Sequence, residues 1–230
     1  MFRFAPSLLA LALLACAAPP PPPPAPEQPP AETAVVHTAP AGAYTLDKAH
    51  GSLIVRVTHM ACSNFTARFT TWDASLSIDP AAPENSSINV TIDPRSITSD
   101  NAPAGFVDVM RNDFLQAPTH PEITFRSTSV ERTGPNTANI TGDLTLLGVT
   151  KPVTLEARFN GGYEGMPVYD PNGRVGFSAH ASFNRSEFGM TYGLPPEGTN
   201  LGVGDRVDLV IETEFTGPPL AAPAPAPATP

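Results

Sequence analysis

Apolar residues recur at every second position over most of the middle of this chain. At the start of this region the odd positions are Leu53, Val55 and Val57, whereas the even positions include Arg56. The same alternation returns in seven further segments: 72–78, 88–92, 123–125, 140–146, 153–159, 175–183 and 207–215. Because successive side chains of a β-strand point to opposite faces, this period of two predicts about eight strands, each with one buried face.

One stretch departs from the period of two. Between Pro103 and Leu115 the apolar residues lie at helical spacing, and they are Phe106, Val109, Met110 and Phe114. This spacing predicts one short α-helix. Regularly spaced strands that alternate apolar and polar residues favour antiparallel pairing, so the fold class is all-β, an eight-stranded antiparallel barrel with one short α-helix. A two-sheet sandwich is the alternative that the pattern leaves open.

The N-terminus has the features of a bacterial lipoprotein signal. Arg3 supplies a positive charge, and the apolar run 8–14 is too short to span a bilayer. The sequence Leu-Leu-Ala-Cys that ends at Cys16 matches a lipobox, in which the cysteine thiol accepts diacylglycerol. We therefore expect lipidation at Cys16 and a lipid anchor to a membrane of the cell envelope, facing the periplasm, with the outer membrane favoured by Ala17. The alternative is a secreted protein with an incidental cysteine.

Composition divides the chain into four segments. Residues 1–16 are the predicted signal peptide and lipobox, 17–43 a Pro/Ala-rich tether, 44–217 the barrel domain and 218–230 a Pro/Ala tail. An unbroken proline run at 19–24 favours an extended polyproline conformation, in which the tether could reach up to about 80 Å. The tail has too few large apolar residues to pack.

The charge balance and the second cysteine narrow the possible partners. The chain has 22 acidic and 13 basic residues, a net charge of −9, and no basic run. Nucleic acid is therefore excluded as a partner, and so is electrostatic docking on anionic lipid. With Cys16 acylated, Cys62 has no disulfide partner, and we expect it to be a buried, inert thiol.

Four motifs, in order, resemble those of the YceI-like family of lipocalin-like, polyisoprenoid-binding periplasmic proteins. They are the segments 44–52, 120–127 and 142–153, and the Phe-Asn-Arg-Ser-Glu-Phe-Gly sequence at 183–189. The resemblance covers about residues 44–216. It implies a lipocalin-like barrel that is filled by, or encloses, an isoprenoid chain. The chain departs from the family in a less charged segment at 104–109 and in an insertion at 161–167 that lengthens one loop.

No set of residues predicts catalysis or metal binding. Asp47, His50 and Ser52 are the residue types of an acyl-transfer triad, but they lie within six residues of one extended segment. Strand geometry would turn His50 and Ser52 away from Asp47, so we expect structural roles. The five histidines show no zinc-site spacing, and no Gly-rich phosphate loop is present in the sequence. We predict no metal and no cofactor.

The candidate ligand-binding residues lie on the strand faces that are expected to point into the barrel, or on the helix. They are Leu53, Val55, Val57, His59, Phe106, Met110, Phe125, Leu144, Phe177, Phe183, Arg185 and Phe188. Two are polar, and a buried ionisable group needs a partner. For Arg185 the partner would be Glu187, Asp113 or the polar head of a ligand, and His59 would be a hydrogen-bonded core residue or a ligand contact. The pattern does not separate a filled barrel from a hollow one.

The predicted function is binding of a polyisoprenoid or similar long amphiphilic lipid, as a carrier or store in the bacterial envelope. The hollow barrel on which this depends is implied by the family resemblance. The alternative is an envelope-stress or partner-binding module with a filled barrel, in which loops 161–173 or 189–204 contact another protein. An enzyme acting on a lipid has no supporting residues. The sequence does not indicate an oligomeric state.

Overall fold

The computed structural model describes residues 32–220. The signal peptide with Cys16, the first part of the tether and residues 221–230 of the tail lie outside the described residues. Within 32–220, no helix combines the length and the apolar character needed to cross a bilayer.

Strands make up most of the described chain. They are β1 Gly42–Leu46, β2 Ser52–His59, β3 Ser63–Phe69, β4 Trp72–Ile78, β5 Ser87–Ile92, β6 Ile97–Thr98, β7 Ile123–Arg132, β8 Thr137–Leu146, β9 Val149–Tyr163, β10 Asn172–Asn184 and β11 Val203–Pro219. Every pairing between them is antiparallel.

The eleven strands form a closed barrel of eight, because the first six are three long strands that are each interrupted once. The first long strand consists of β1 and β2, which both pair with β11. The second consists of β3, which pairs with β2, and β4, which pairs with β1. The third consists of β5, which pairs with β4, and β6, which pairs with β3. Closure occurs where Thr45 of β1 lies opposite Thr216 of β11. The predicted eight-stranded antiparallel barrel is confirmed, and the sandwich alternative is wrong.

One of the interruptions occurs where the sequence opposes a continuous ladder. Between β5 and β6, Pro94 has no backbone N–H, and a short 3₁₀ turn spans Pro94–Ser96. The Asp93 side chain caps this turn by accepting a hydrogen bond of 2.9 Å from the Arg95 backbone N–H. The strand is therefore interrupted at this turn and continues after it as β6.

The predicted helix is present and shorter than the apolar spacing indicated. It consists of α1, Phe106–Val109, which continues as a π-helical turn over Met110–Phe114. The helix begins late because Gly105 has a left-handed φ of 79°, a conformation that glycine adopts without strain. The segment that carries α1 packs across the end of the barrel where β2 ends and β7 begins, which we call the helix end.

Residues 32–41 pack against the opposite end of the barrel. We call them the N-terminal strap and that end the strap end. Asn136, in the turn between β7 and β8, is buried, and its side chain accepts a hydrogen bond of 2.7 Å from the Val35 N–H. It also donates to the Thr33 carbonyl at 2.9 Å. The Tyr44 hydroxyl donates to the Pro40 carbonyl at 2.7 Å. These strap residues, which lie within the predicted tether, belong to the folded unit.

Candidate functional site

An apolar cavity of about 320 Å³ lies inside the barrel at the helix end. It is lined by Leu53, Val55, Val57, His59, Phe65, Ala67, Phe69, Ile92, Ile97, Pro103, Phe106, Met110, Phe114, Leu115, Ile123, Leu144, Leu146, Phe183, Arg185, Met190, Val203, Val207 and Leu209. Among these, only His59 and Arg185 carry ionisable groups. Such a site offers a ligand apolar contact over nearly all its wall and polar contact at two points.

The structure brings nine of the twelve predicted residues together around this cavity. They are Leu53, Val55, Val57, His59, Phe106, Met110, Leu144, Phe183 and Arg185. Strands β2 and β8 therefore contribute their predicted inward faces, and the helix contributes the two side chains expected of it. The apolar alternation on these strands was sufficient to find them.

The other three predicted residues lie elsewhere. Phe177 lines a second cavity at the strap end. Phe188 is buried under the cavity wall, where its ring packs edge-to-face against Phe183 with centroids 5.2 Å apart. Phe125 is buried in the middle of the barrel. The alternation of apolar and polar positions correctly predicted that the Phe125 and Phe177 side chains point into the barrel. It carries no information about the position of a side chain along the barrel axis.

One wall of the cavity is formed by residues that were not among those predicted from the sequence. Strand β3 contributes Phe65, Ala67 and Phe69 to the lining. These residues alternate with Asn64, Thr66 and Arg68, so the period-two signal that identifies a strand was present. By contrast, Met190 lines the cavity from the long connection between β10 and β11, and Val203 lines it from the first position of β11. No regular period in the sequence could indicate the position of either residue.

Arg185 is fully buried, and backbone carbonyls bind its guanidinium. Its Nε donates to the Gly204 carbonyl at 2.9 Å, and its Nη2 donates to the Val203 carbonyl at 2.8 Å. Nη1 donates to the carbonyls of Met190 and Tyr192, both at 2.8 Å. Arg185 therefore holds the connection between β10 and β11 against the cavity.

The prediction that a carboxylate, Glu187 or Asp113, pairs with Arg185 is wrong. Glu187 accepts a hydrogen bond of 3.2 Å from Asn184. No salt bridge to Arg185 occurs within residues 32–220. Burial lowers the pKa of Arg185, and the negative charge of Asp205 opposes that shift. The guanidinium carbon also lies 5.4 Å from the centre of the Phe114 ring, which favours the charged form.

His59 is exposed, contrary to the expectation of a core histidine. It is the last residue of β2, opposite Ser63 of β3 and Val203 of β11. The strand therefore carries its side chain beyond the packed layers of the barrel to the rim of the cavity. Cys62, in the adjoining turn, is also exposed rather than buried.

Asp47 and His50 lie close together, although strand geometry predicted that they would point apart. Residues 47–51 interrupt the strand between β1 and β2, so His50 Nδ1 comes within 3.0 Å of Asp47 Oδ2. Asp47 also accepts a hydrogen bond from Arg174, which is the main reason that its pKa is lowered to about 2. The hydrogen bond to Asp47 raises the pKa of His50. Through the contact between Asp47 and Arg174, this network attaches residues 47–51 to β10.

The same network contains a group of possible metal ligands. Single ligand atoms of Asp47, His50 and Glu214 lie within 4.8 Å of one another. Arg174 binds Asp47 and places Nη1 3.5 Å from a Glu214 carboxylate oxygen. The guanidinium therefore already supplies the positive charge that a cation would bring to these carboxylates.

A second cavity, of about 260 Å³, lies at the strap end. The strap residues Ala34, Val35 and His37 cover it, and Phe159 and Phe177 form part of its wall. The His37 ring packs edge-to-face on Phe159 with centroids 4.9 Å apart. The strap therefore covers an internal space and does not simply lead away from the barrel.

Fold and cavities together define a lipocalin-like β-barrel with an apolar interior site. The chain belongs to the YceI-like domain family, whose model matches residues 44–215. A UPF0312 protein from Pseudomonas savastanoi pv. phaseolicola is 39% identical over 156 residues, which are 66% of this chain and 78% of that protein. A UPF0312 protein from Ectopseudomonas mendocina is 36% identical over 180 residues, which are 76% of this chain and 88% of that protein.

Solved structures share the fold. A YceI protein from Campylobacter jejuni is 27% identical, with a TM-score of 0.58 over 69% of this chain and 88% of that one. BcnA from Burkholderia cenocepacia is 24% identical, with a TM-score of 0.61 over 74% and 98% of the two chains. A polyisoprenoid binding domain from Saccharophagus degradans is 11% identical, with a TM-score of 0.55 over 78% and 100%.

Proposed function

We propose that this protein binds the apolar chain of a polyisoprenoid or similar amphiphilic lipid in the helix-end cavity, and that it serves as a carrier or store in the bacterial envelope. The observation that carries the proposal is a 320 Å³ interior cavity whose wall is apolar except at His59 and Arg185. The polyisoprenoid-binding description of the Saccharophagus degradans domain, which shares the fold, supports the same ligand class.

The wall suits a chain rather than a polar molecule. Burial of apolar surface contributes roughly 25 cal/mol per Å² without directional contacts, so a flexible hydrocarbon can bind to Phe, Leu, Val and Met side chains in many positions. A polar ligand would lose its hydrogen bonds to water and find few replacements there. The alternative of a partner-binding module was based on a filled barrel, and the two cavities favour lipid binding over it.

The polar groups define an orientation for the lipid. His59 is exposed at the rim, and Arg185 uses four of its five N–H groups on carbonyls of the described chain. The lipid head would lie beside these two residues, with its chain directed toward the middle of the barrel. A protein that shields a chain in this way and is anchored at Cys16 would present the lipid at the membrane surface, facing the periplasm.

The test compares two buried alanines that lie in different cavities. Ala67 lines the helix-end cavity and Ala157 lines the strap-end cavity, so Ala67→Leu fills the first and Ala157→Leu the second. Full-length protein would be purified from cells, and lipids retained by each variant would be extracted and measured by mass spectrometry.

We expect a prenyl lipid with the wild type and with Ala157→Leu, and a loss of most of it with Ala67→Leu. Equal retention by the two variants would place the ligand outside the helix-end cavity. Absence of any lipid from the wild type, together with no rise in melting temperature when a prenol is added, would contradict the proposed function.

A further inference from the structure

The loop between β9 and β10 carries exposed apolar side chains at its tip. Val168 is 102% exposed and Tyr169 is 85% exposed. The backbone closes below them, because Met166 and Asp170 form an antiparallel bridge in which the Asp170 N–H donates to the Met166 carbonyl at 2.9 Å. Met166 is exposed as well. Three large apolar side chains are therefore presented together to solvent on one turn.

Polar contacts fix the base of this loop. The Tyr163 hydroxyl donates to the Asp170 carboxylate at 3.2 Å, and Arg174 Nε donates to the same carboxylate at 2.6 Å. Arg174 also binds Asp47, next to the end of β1. The tip thus stands on a base that is attached to the barrel, and its side chains do not fold back onto the strands.

The loop lies at the strap end of the barrel, beside the strap. The Glu164 N–H donates to the Thr38 hydroxyl at 3.2 Å. Within the strap, Val35 and His37 line the strap-end cavity, whereas Val36 between them is 94% exposed. Val36 therefore faces away from the interior and adds a further apolar side chain to this end of the protein.

The chain leads from this same end toward the proposed anchor. Glu32 is bound at the strap end by Asn136 and Arg158. Residues 17–31 alone separate it from Cys16, and a chain of that length spans at most about 55 Å at roughly 3.5 Å per residue. A lipid on Cys16 would therefore keep the strap end near the bilayer.

The charges around the tip favour apolar insertion over electrostatic attraction. Residues 161–173 include no Lys or Arg, and their acidic residues are Glu164 and Asp170. Arg174 pairs with Asp170, but Glu164 would repel an anionic lipid head group. A tyrosine ring, by contrast, is favoured at the boundary between head groups and acyl chains. The tip therefore fits a bilayer surface of zwitterionic lipid.

We propose that the tip of the β9–β10 loop, residues 166–169, inserts together with Val36 into the interfacial region of the bilayer that holds the lipid anchor. The inference rests on the anchor at Cys16 in the proposed function. Because the anchor already holds the protein at the membrane, the insertion serves to orient the barrel. The strap end then faces the bilayer, and the helix end with its apolar cavity faces the periplasm.

A second group of exposed apolar residues, at the helix end, provides the comparison. Leu201 is 69% exposed and Met60 is 46% exposed. They lie close together, because the Met60 N–H donates to the Gly202 carbonyl at 2.8 Å. If the helix end faced the bilayer, Leu201 would enter it and Val168 would remain in water.

The experiment measures the depth of tryptophan probes in the bilayer. Full-length lipoprotein with Val168→Trp or Leu201→Trp is reconstituted into phosphatidylcholine vesicles, with or without bromine atoms near the top of the acyl chains, which quench tryptophan on contact. The wild type, with Trp72 as its single tryptophan, supplies the background. We expect the added fluorescence of Val168→Trp to fall about twofold or more, since interfacial side chains lie within roughly 5–10 Å of the acyl boundary. The added fluorescence of Leu201→Trp should not change.

Removal of a neighbouring apolar side chain should raise the probe out of the bilayer. In the Val168→Trp protein, Tyr169→Ser should reduce the quenching by about half or more, because less apolar surface leaves water on insertion. Leu201→Ser in the same protein is the matched control and should leave the quenching unchanged. All three positions are exposed, so these variants should fold like the wild type. Addition of phosphatidylglycerol should weaken the quenching, because Glu164 repels its charge.

Flotation of the vesicles separates this proposal from the one on which it rests. If the protein does not float with the vesicles, the anchor fails and the orientation fails with it. If the protein floats but Val168→Trp is not quenched, or both probes are quenched equally, the anchor stands and insertion of the loop is overturned. Quenching of Leu201→Trp alone would place the helix end at the bilayer and would also overturn it.

Discussion

The side-chain amide of Asn136 accepts a hydrogen bond from the backbone N–H of Val35, 101 residues earlier in the chain. The same amide donates to the Glu32 carboxylate at 2.8 Å, and Arg158 binds that carboxylate at 2.5 Å. The strap is thus attached to the barrel by polar contacts to one buried side chain, while Val35 and Ala39 supply apolar contact. Residues 32–41, at the C-terminal end of the predicted tether, pack on the barrel through these contacts.

Replacement of Asn136 by Ala should therefore lower the free energy of unfolding by about 1–2 kcal/mol, because several partly buried hydrogen bonds are lost together. Urea denaturation of the full-length protein measures this change. Asn160→Ala is the control, because Asn160 makes one exposed hydrogen bond to Ser178, and it should change stability by less than about 0.5 kcal/mol. Equal effects of the two variants would show that the hydrogen bonds between Asn136 and the strap contribute nothing measurable to stability.

Arg185→Lys should destabilise the protein by about 2–4 kcal/mol, although it conserves the charge. A lysine ammonium cannot reproduce the planar arrangement that reaches four carbonyls, and the carbonyls left without partners are costly where they are buried. Thermal and urea unfolding measure the loss, and protease cleavage within 189–204 reports the release of the loop. Arg206→Lys, at an exposed ion pair with Asp208, should have little effect. A stable, protease-resistant Arg185→Lys protein would contradict the role of Arg185.

The Asp47 network predicts a dependence of stability on acid. The pKa of Asp47 is about 2 in the folded protein, mainly because of Arg174, and it is near 3.9 in an unfolded chain. The unfolded state therefore takes up a proton first as the pH falls, and the stabilising contribution of Asp47 is present above about pH 4 and lost between about pH 4 and 2.

Wild type and Asp47→Asn should thus differ most in unfolding free energy near pH 5, and the difference should shrink as the pH falls toward 2. Denaturant titrations at several pH values measure it. His50 adds a dependence of opposite sign, since its raised pKa contributes stability that is lost as the pH rises through that value. A difference that stays constant down to pH 2 would mean that the Asp47–Arg174 contact does not form in solution.

Cys16→Ser should abolish lipidation and leave the signal peptide uncleaved by the lipoprotein peptidase, because serine has no thiol to accept diacylglycerol. Metabolic labelling with a fatty acid and membrane fractionation measure this. Cys62→Ser is the matched control, since the thiol of Cys62 lies exposed in the turn after β2, and it should be labelled like the wild type. Normal acyl labelling of Cys16→Ser would end the lipoprotein assignment.

The strands and their inward faces could be predicted from the sequence because a period of two is a local property. Alternation in segments such as 140–146 identifies a strand and its buried side without reference to any other part of the chain. Strand β3 carried the same signal in Phe65, Ala67 and Phe69 and could have been predicted too. The short helix was also a local signal. It begins later than predicted because Gly105 adopts a left-handed conformation, and after Val109 it continues as a π-helical turn.

The depth of each side chain in the barrel was decided by the tertiary structure. Phe125, Phe177 and Phe183 all point inward, but the closed barrel puts them in the buried core between the cavities, in the wall of the strap-end cavity and in the wall of the helix-end cavity respectively. The partners of Arg185 and Asn136 depended on it as well, since both side chains bind backbone groups, which every residue carries. Local pattern determined which residues are buried in this protein, and the closing of the chain into a barrel decided what each of them contacts.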